Sequence, residues 1–257
     1  MWGLSLMACF FLANYVFKKS GKDEEKVTII IQYVFIFGLI GSRLVHVLFY
    51  GNGYYQANPW TEVSIFSMHL TVPTVIAVWE GGLASHGGVI GGLIGLYIFC
   101  KRNPEFDFFW TLDHGIICVV ILASLIRFGN LMNSELYGKP TNAPWGFIFQ
   151  QVDNIPRHPV VLYESIAYFF IQLLMLYLFD KYRDSRPGIY TVVFLLLVFS
   201  VRFMLEFLKE PDGGLVFGGL ISKTQALNLP FIIAGAVLFY FAAQGRLHYK
   251  QIVHGKV

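Results

Sequence analysis

Ile189-Tyr190-Thr191-Val192-Val193-Phe194-Leu195-Leu196-Leu197-Val198-Phe199-Ser200-Val201-Arg202-Phe203-Met204-Leu205-Glu206-Phe207 is long and apolar enough to cross a bilayer as a helix, yet it carries an arginine and a glutamate. A guanidinium stays charged in any protein, and holding one within lipid costs roughly 2.5 to 3.5 kcal/mol even on the lenient insertion scale. Arg43 and Arg127 lie in or at the ends of similar runs, and His86 and Asn130 have comparable surroundings. The pattern reads as a buried cationic pocket for something anionic that lives in the membrane.

Composition widens that reading to the whole chain. Of 257 residues, 56% are hydrophobic and 14% charged, with 25 phenylalanines, which is too apolar for a soluble globule and too long for a single anchor. Mostly apolar runs of about 17 or more residues predict an all-α integral membrane protein with about seven transmembrane helices. They fall roughly at Leu4–Phe17, Thr28–Tyr50, His86–Cys100, Phe109–Leu131, Val160–Phe179, Ile189–Phe207 and Thr224–Ala243. Residues 1–257 are expected to form one polytopic domain. Two outer-face segments, about 51–85 and 133–158, carry Trp, Tyr, Pro and Gly and are expected to be amphipathic or re-entrant structure at the bilayer surface.

Basic residues in short loops stay cytoplasmic, so they set the orientation. Lys18, Lys19, Lys22, Lys26, Lys101, Arg102, Lys181, Arg183, Arg186, Arg246, Lys250 and Lys256 fall on one side, against Lys139, Arg157, Lys209 and Lys223 on the other. The amino terminus is expected outside and the carboxyl terminus in the cytoplasm. The formal net charge of +3 follows from these loops and does not point to nucleic acid. No cleavable signal peptide is expected, because the basic cluster follows the first apolar run instead of preceding it. Cys9, Cys100 and Cys118 lie in apolar stretches at spacings that suit neither a metal site nor a redox pair, and read as small core residues.

Four stretches carry candidate chemistry. In Trp79-Glu80-Gly81-Gly82-Leu83-Ala84-Ser85-His86-Gly87-Gly88-Val89-Ile90-Gly91-Gly92, glycines at 87, 91 and 95 leave one helix face bare for close packing. Packing does not require an imidazole at its mouth, so His86 is either a satisfied structural histidine or a general base near neutral pH. Arg127 and Asn130 share a helix face and suit a phosphate ester, with an arginine that merely snorkels outward as the alternative. Arg202 and Glu206, four apart, can form an ion pair, although desolvation makes a buried pair a poor stabiliser. Arg157-His158-Pro159 opens the next helix, where His158, Tyr163 and Glu164 either orient a site or cap the helix.

These residues resemble the prolipoprotein diacylglyceryl transferases of bacterial inner membranes. The resemblance rests on Gly41-Ser42-Arg43 with Val47-Leu48-Phe49-Tyr50, the glycine-rich stretch around His86, Arg127 through Gly138, His158-Pro159 with Leu162-Tyr163-Glu164, Arg202-Phe203 with Glu206-Phe207 and Pro211-Asp212, and Ser222 with Gln225. It spans nearly the whole chain. It implies transfer of a diacylglyceryl group from phosphatidylglycerol to the thiol of a lipobox cysteine in a prolipoprotein signal sequence, with release of glycerol phosphate and without a cofactor or metal. By the same resemblance, His86, Arg127, Arg202 and Glu206 are the expected catalytic group. Arg43, Asn130, Glu135, Gly138, His158 and Tyr163 are the expected substrate-binding group. The pattern departs at Met1-Trp2-Gly3, where the family has an outer Trp-Tyr-Gly type stretch before the first helix, so either the start is mis-assigned or a tyrosine is missing. It departs again at Val198, a tyrosine in some relatives, and at Val161, commonly a glutamine. From the residues alone, an anion transporter or channel and a catalytically impaired lipid-binding protein stay open as alternatives.

Overall fold

The computed structural model describes residues 2–51, 53–65, 68–210, 215–216 and 220–249; Pro211 and Asp212 of the sequence pattern lie outside them. All seven apolar segments are helical. In chain order they are α1 (Trp2–Lys19) and α2 (Glu24–Val45), a short α3 (Tyr54–Ala57), a hairpin of β1 (Trp60–Ile65) and β2 (Met68–Pro73), then α4 (Ser85–Arg102) and α5 (Phe108–Met132). There follow β3 (Phe147–Ile148) and β4 (Pro156–Arg157), α6 (Val160–Tyr182), α7 (Ile189–Val193), α8 (Phe199–Leu205), the pair β5 (Leu215–Val216) and β6 (Ile221–Ser222), and α9 (Lys223–Ala243). Five stretches are long and apolar enough to cross a membrane: Glu24–Phe49, Phe108–Met132, Val160–Tyr182, Ile189–Leu208 and Lys223–Ala243.

The two outer segments contain short strands. Residues 51–85 hold α3, the β1–β2 hairpin and two 3-10 turns, and residues 133–158 hold the small β3–β4 pair and no helix. Thr61, Val63, Ile65, Thr71 and Val72 are β-branched and fit a pleated ribbon.

The chain divides into two compact units, Glu25–Phe108 and the remainder, Met1–Glu24 with Phe109–Val257. In the smaller unit, α2 and α4 meet backbone to backbone. A Cβ on Gly91 would run into the Phe37 carbonyl, one on Gly87 into that of Gly41, and one on Gly95 would come within 2.6 Å of that of Tyr33. The bare glycine face is therefore a packing device, as the four-residue spacing implies.

In the larger unit, α5 and α6 are joined by reciprocal bonds in which each of Ser124 and Ser165 donates its hydroxyl to the other's carbonyl at 2.9 Å. At the opposite end of α5, buried Asp113 accepts from the Gly188 and Thr191 amides and the Thr191 and Tyr249 hydroxyls. A π-helical turn, Phe194–Val198, separates α7 from α8. Beyond α8 the coil tightens to a 3-10 turn over Glu206–Leu208. Ser222 caps α9 with Gln225 in a reciprocal capping box. These ends place the charged residues described next.

Candidate active site

Within the larger unit, the end of α5, the turn after α8 and the start of α9 converge on a cavity of about 100 Å³. Its lining includes Arg127, Arg202, Lys209, Glu206 and Glu210, with Leu136 and Thr224. Behind Arg127, on α6, lies the fully buried Glu164. One of its oxygens is 2.7 Å from Arg127 Nε and the other 2.8 Å from Lys209 Nζ. The Arg127 contact is ionic and not an aligned hydrogen bond, because Glu164 Oε2 has no hydrogen-bond partner. Lys209 reaches a second carboxylate, Glu206 Oε2, at 3.6 Å, and the other Glu206 oxygen accepts from the Ser222 hydroxyl at 3.0 Å.

The Arg202–Glu206 pair that four-residue spacing suggests is not formed. In a 3-10 turn residues three apart eclipse, which brings Lys209 and not Arg202 to Glu206. Arg202 has no carboxylate within ion-pair distance among the described residues, and its buried Nε has no hydrogen-bond partner. An unsatisfied buried donor on a cavity-lining arginine is suited to an anionic acceptor.

Asn130, Glu135, Gly138, His158 and Tyr163 surround this arrangement without lining the cavity. Asn130 Nδ2 donates to Glu135 Oε2, and the Glu135 amide to the Asn130 carbonyl at 2.9 Å, which closes the end of α5. The following turn carries Ser134 and Leu136 at φ 55° and 54°, so a cavity-lining leucine sits in the left-handed region. Gly138 is buried, and a Cβ there would lie 2.6 Å from the His158 carbonyl. Its amide donates to that carbonyl at 3.0 Å, while the Lys139 amide donates to the Leu208 carbonyl at 2.8 Å. Residues 138–139 thereby tie the 156–158 strand to the cavity's Lys209 turn. Tyr163 receives the Trp145 indole N–H at 2.9 Å and lies 3.4 Å from His158 Nδ1. Arg157 donates to Glu210 at 2.9 Å and also to Asp153, and the bonds to Asp153, helped by the Ile155 amide, hold its carboxyl below the usual range.

Arg43 and His86 belong to the smaller unit. Arg43, expected to bind substrate, lines a cavity of about 300 Å³ with His46, Tyr55 and Glu80, and all five of its N–H donors are engaged by main-chain carbonyls. Nε donates to Val75 at 2.8 Å, Nη1 to Gly81 at 2.7 Å and Gly82 at 3.2 Å, and Nη2 to Thr74 and, at 3.2 Å, to Ala77. It fastens the outer segment to the end of α2. The His86 side chain is exposed in the first turn of α4 and makes no hydrogen bond to a described residue.

The family model described as prolipoprotein diacylglyceryl transferase matches residues 1–241. The chain belongs to that family. Among its relatives, the phosphatidylglycerol–prolipoprotein diacylglyceryl transferase of Tolumonas auensis is 38% identical, across 95% of this chain and 91% of the relative. Those of Chloroherpeton thalassium and Bacteroides fragilis are 38% and 34% identical, across 93% and 94% of this chain and 85% and 87% of their own lengths. The charged cavity residues that sequence reasoning did not assign to the site are Lys209 and Glu210, while from sequence Glu164 stays open between orienting a site and capping its helix. Lys209 sits among polar neighbours and reads as a loop charge, while Ser222 with Gln225 is legible as a capping box.

Proposed function

We propose that this chain is a phosphatidylglycerol–prolipoprotein diacylglyceryl transferase, moving the diacylglyceryl group of the lipid to a lipobox cysteine and releasing glycerol phosphate. The observation that carries the reading is the convergence of Arg127 and Arg202 on one cavity in the larger unit, with a buried Arg202 donor left unsatisfied. That is the environment a phosphodiester needs within lipid, since a guanidinium fork matches phosphate oxygens.

In the reaction the cysteine sulfur attacks the glyceryl carbon while the carbon–oxygen bond to phosphate breaks. The bonding pair leaves on the phosphate oxygen, and the thiol proton is taken up by a base. Negative charge therefore grows on the leaving phosphate, where Arg127 and Arg202 stabilise the transition state more than the bound lipid. A cysteine of pKa about 8.5 needs help to ionise, and we assign that role to His86 on its chemistry alone. Glu164 and Glu206 keep the cations in register, and Asn130, Glu135, Gly138, His158 and Tyr163 shape the loop that frames the cavity. Arg43 holds the outer segment against the end of α2 at the edge of a second cavity. We infer a multi-pass protein of the bacterial inner membrane with seven crossings, its amino terminus outside and its carboxyl terminus cytoplasmic.

The test is a transfer assay. Detergent-solubilised protein given phosphatidylglycerol and a lipobox peptide is expected to release glycerol phosphate, and Arg127→Ala to lower the rate by about 10²-fold or more. A wild-type protein that binds both substrates and releases nothing would end this reading.

A further inference from the structure

Lys209 is nine-tenths buried, and its position is set by main chain: its residue bridges Gly138, and its amide donates to the Glu206 carbonyl at 3.2 Å. Its ammonium is the one group that touches both buried carboxylates of the site among the described residues. A charge tally shows what this does. Arg127, Arg202 and Lys209 bring three positive charges, and Glu164 and Glu206 bring two negative ones, which leaves one positive charge. Glu210 is half exposed, paired with Arg157 and screened by water. The leftover charge falls on Arg202.

We propose that Lys209 is a positioning residue that sets the headgroup preference of the cavity: by neutralising Glu164 and Glu206 together it keeps Arg202 free, so the cavity takes a singly charged anionic phosphodiester in preference to a zwitterionic headgroup. This rests on the transferase reading above. A compact ammonium with three donors can serve two carboxylates at once. Without it Arg202, four residues before Glu206, becomes that carboxylate's nearest cation on the helix, and the pair that the sequence spacing suggests would form and neutralise the cavity.

The experiment measures equilibrium binding of phosphatidylglycerol and phosphatidylcholine to the full chain in a neutral detergent. It compares wild type with Lys209→Met, Lys209→Arg and the double variant Lys209→Met/Glu206→Gln. Lys209→Met is expected to weaken phosphatidylglycerol about tenfold and to leave phosphatidylcholine unchanged. Lys209→Arg should keep the preference. The double variant has two arginines against Glu164, again one positive charge, with Glu164 still beside Arg127 and no carboxylate left to capture Arg202, and is expected to bind phosphatidylglycerol within about threefold of wild type. A Lys209→Met protein that binds both lipids like wild type overturns the proposal. So does a double variant as weak as the single one, which would mean that the lysine itself contacts the lipid. Should Lys209→Met fail to fold because two carboxylates are left buried together, the double variant carries the test alone. Wild type that prefers phosphatidylglycerol but transfers nothing would remove the transferase reading and leave this comparison decisive.

Discussion

Arg43 and Arg202 carry the same side chain in similar apolar runs, and their surroundings differ. Arg43 has carbonyl partners for all five donors, whereas Arg202 buries an Nε that has none. A fully satisfied buried cation holds structure; an unsatisfied one is poised for a ligand. Arg43→Ala is therefore expected to lower stability by about 3 kcal/mol or more, through carbonyls left without donors, and to expose residues 74–84 to protease. Thermal unfolding in detergent with limited proteolysis checks this, and an unchanged digestion pattern would contradict it. The sequence made Arg127, Arg202 and Glu206 legible because charge in an apolar run is expensive and so conspicuous. It could not separate Arg43 from them, since that distinction lies in carbonyls more than thirty residues along the chain. Lys209 escaped notice for a related reason. Its partner Glu164 is 45 residues away, and no local spacing reports such a contact.

Among the elements, the glycine face of α4 shows how local pattern becomes packing. Removing side chains at 87, 91 and 95 lets α2 and α4 approach until backbone touches backbone, a contact that dispersion rewards where hydrophobic burial against lipid is absent. Gly91→Val is expected to force the two helices apart and to destabilise the smaller unit by about 1 to 3 kcal/mol or more. Gly3, beside which nothing lies within 4 Å, is the matched control: Gly3→Ala should leave the melting temperature unchanged. Equal melting temperatures for Gly91→Val and wild type would refute the argument. The spacing made this face readable in advance, and the Ser222–Gln225 capping box is equally legible. The outer segments were not. Aromatic and glycine-rich composition marks a bilayer interface without choosing helix or strand, and the β1–β2 hairpin is decided by cross-strand pairing that composition does not encode.

For the molecule as a whole, the uneven distribution of lysine and arginine between loops makes a topological prediction. Reporter domains fused at the carboxyl terminus and in the 183–187 loop are expected to be active only in the cytoplasm, and those inserted after residue 142 only outside. A reversed result at any one of these positions would refute the orientation. Membrane character, the positions of the helices and the residue types of an anionic-lipid site were determined by the sequence alone, because a run of apolar residues and a charge within it keep their meaning wherever the chain folds. Which charges meet was decided by tertiary structure. The 3-10 turn at Glu206, the anchoring of Lys209 by residues 138–139 and the buried Glu164 between two cations arise where helix ends converge, and ion pairing inside a protein depends on angstrom-scale geometry that no one-dimensional spacing contains.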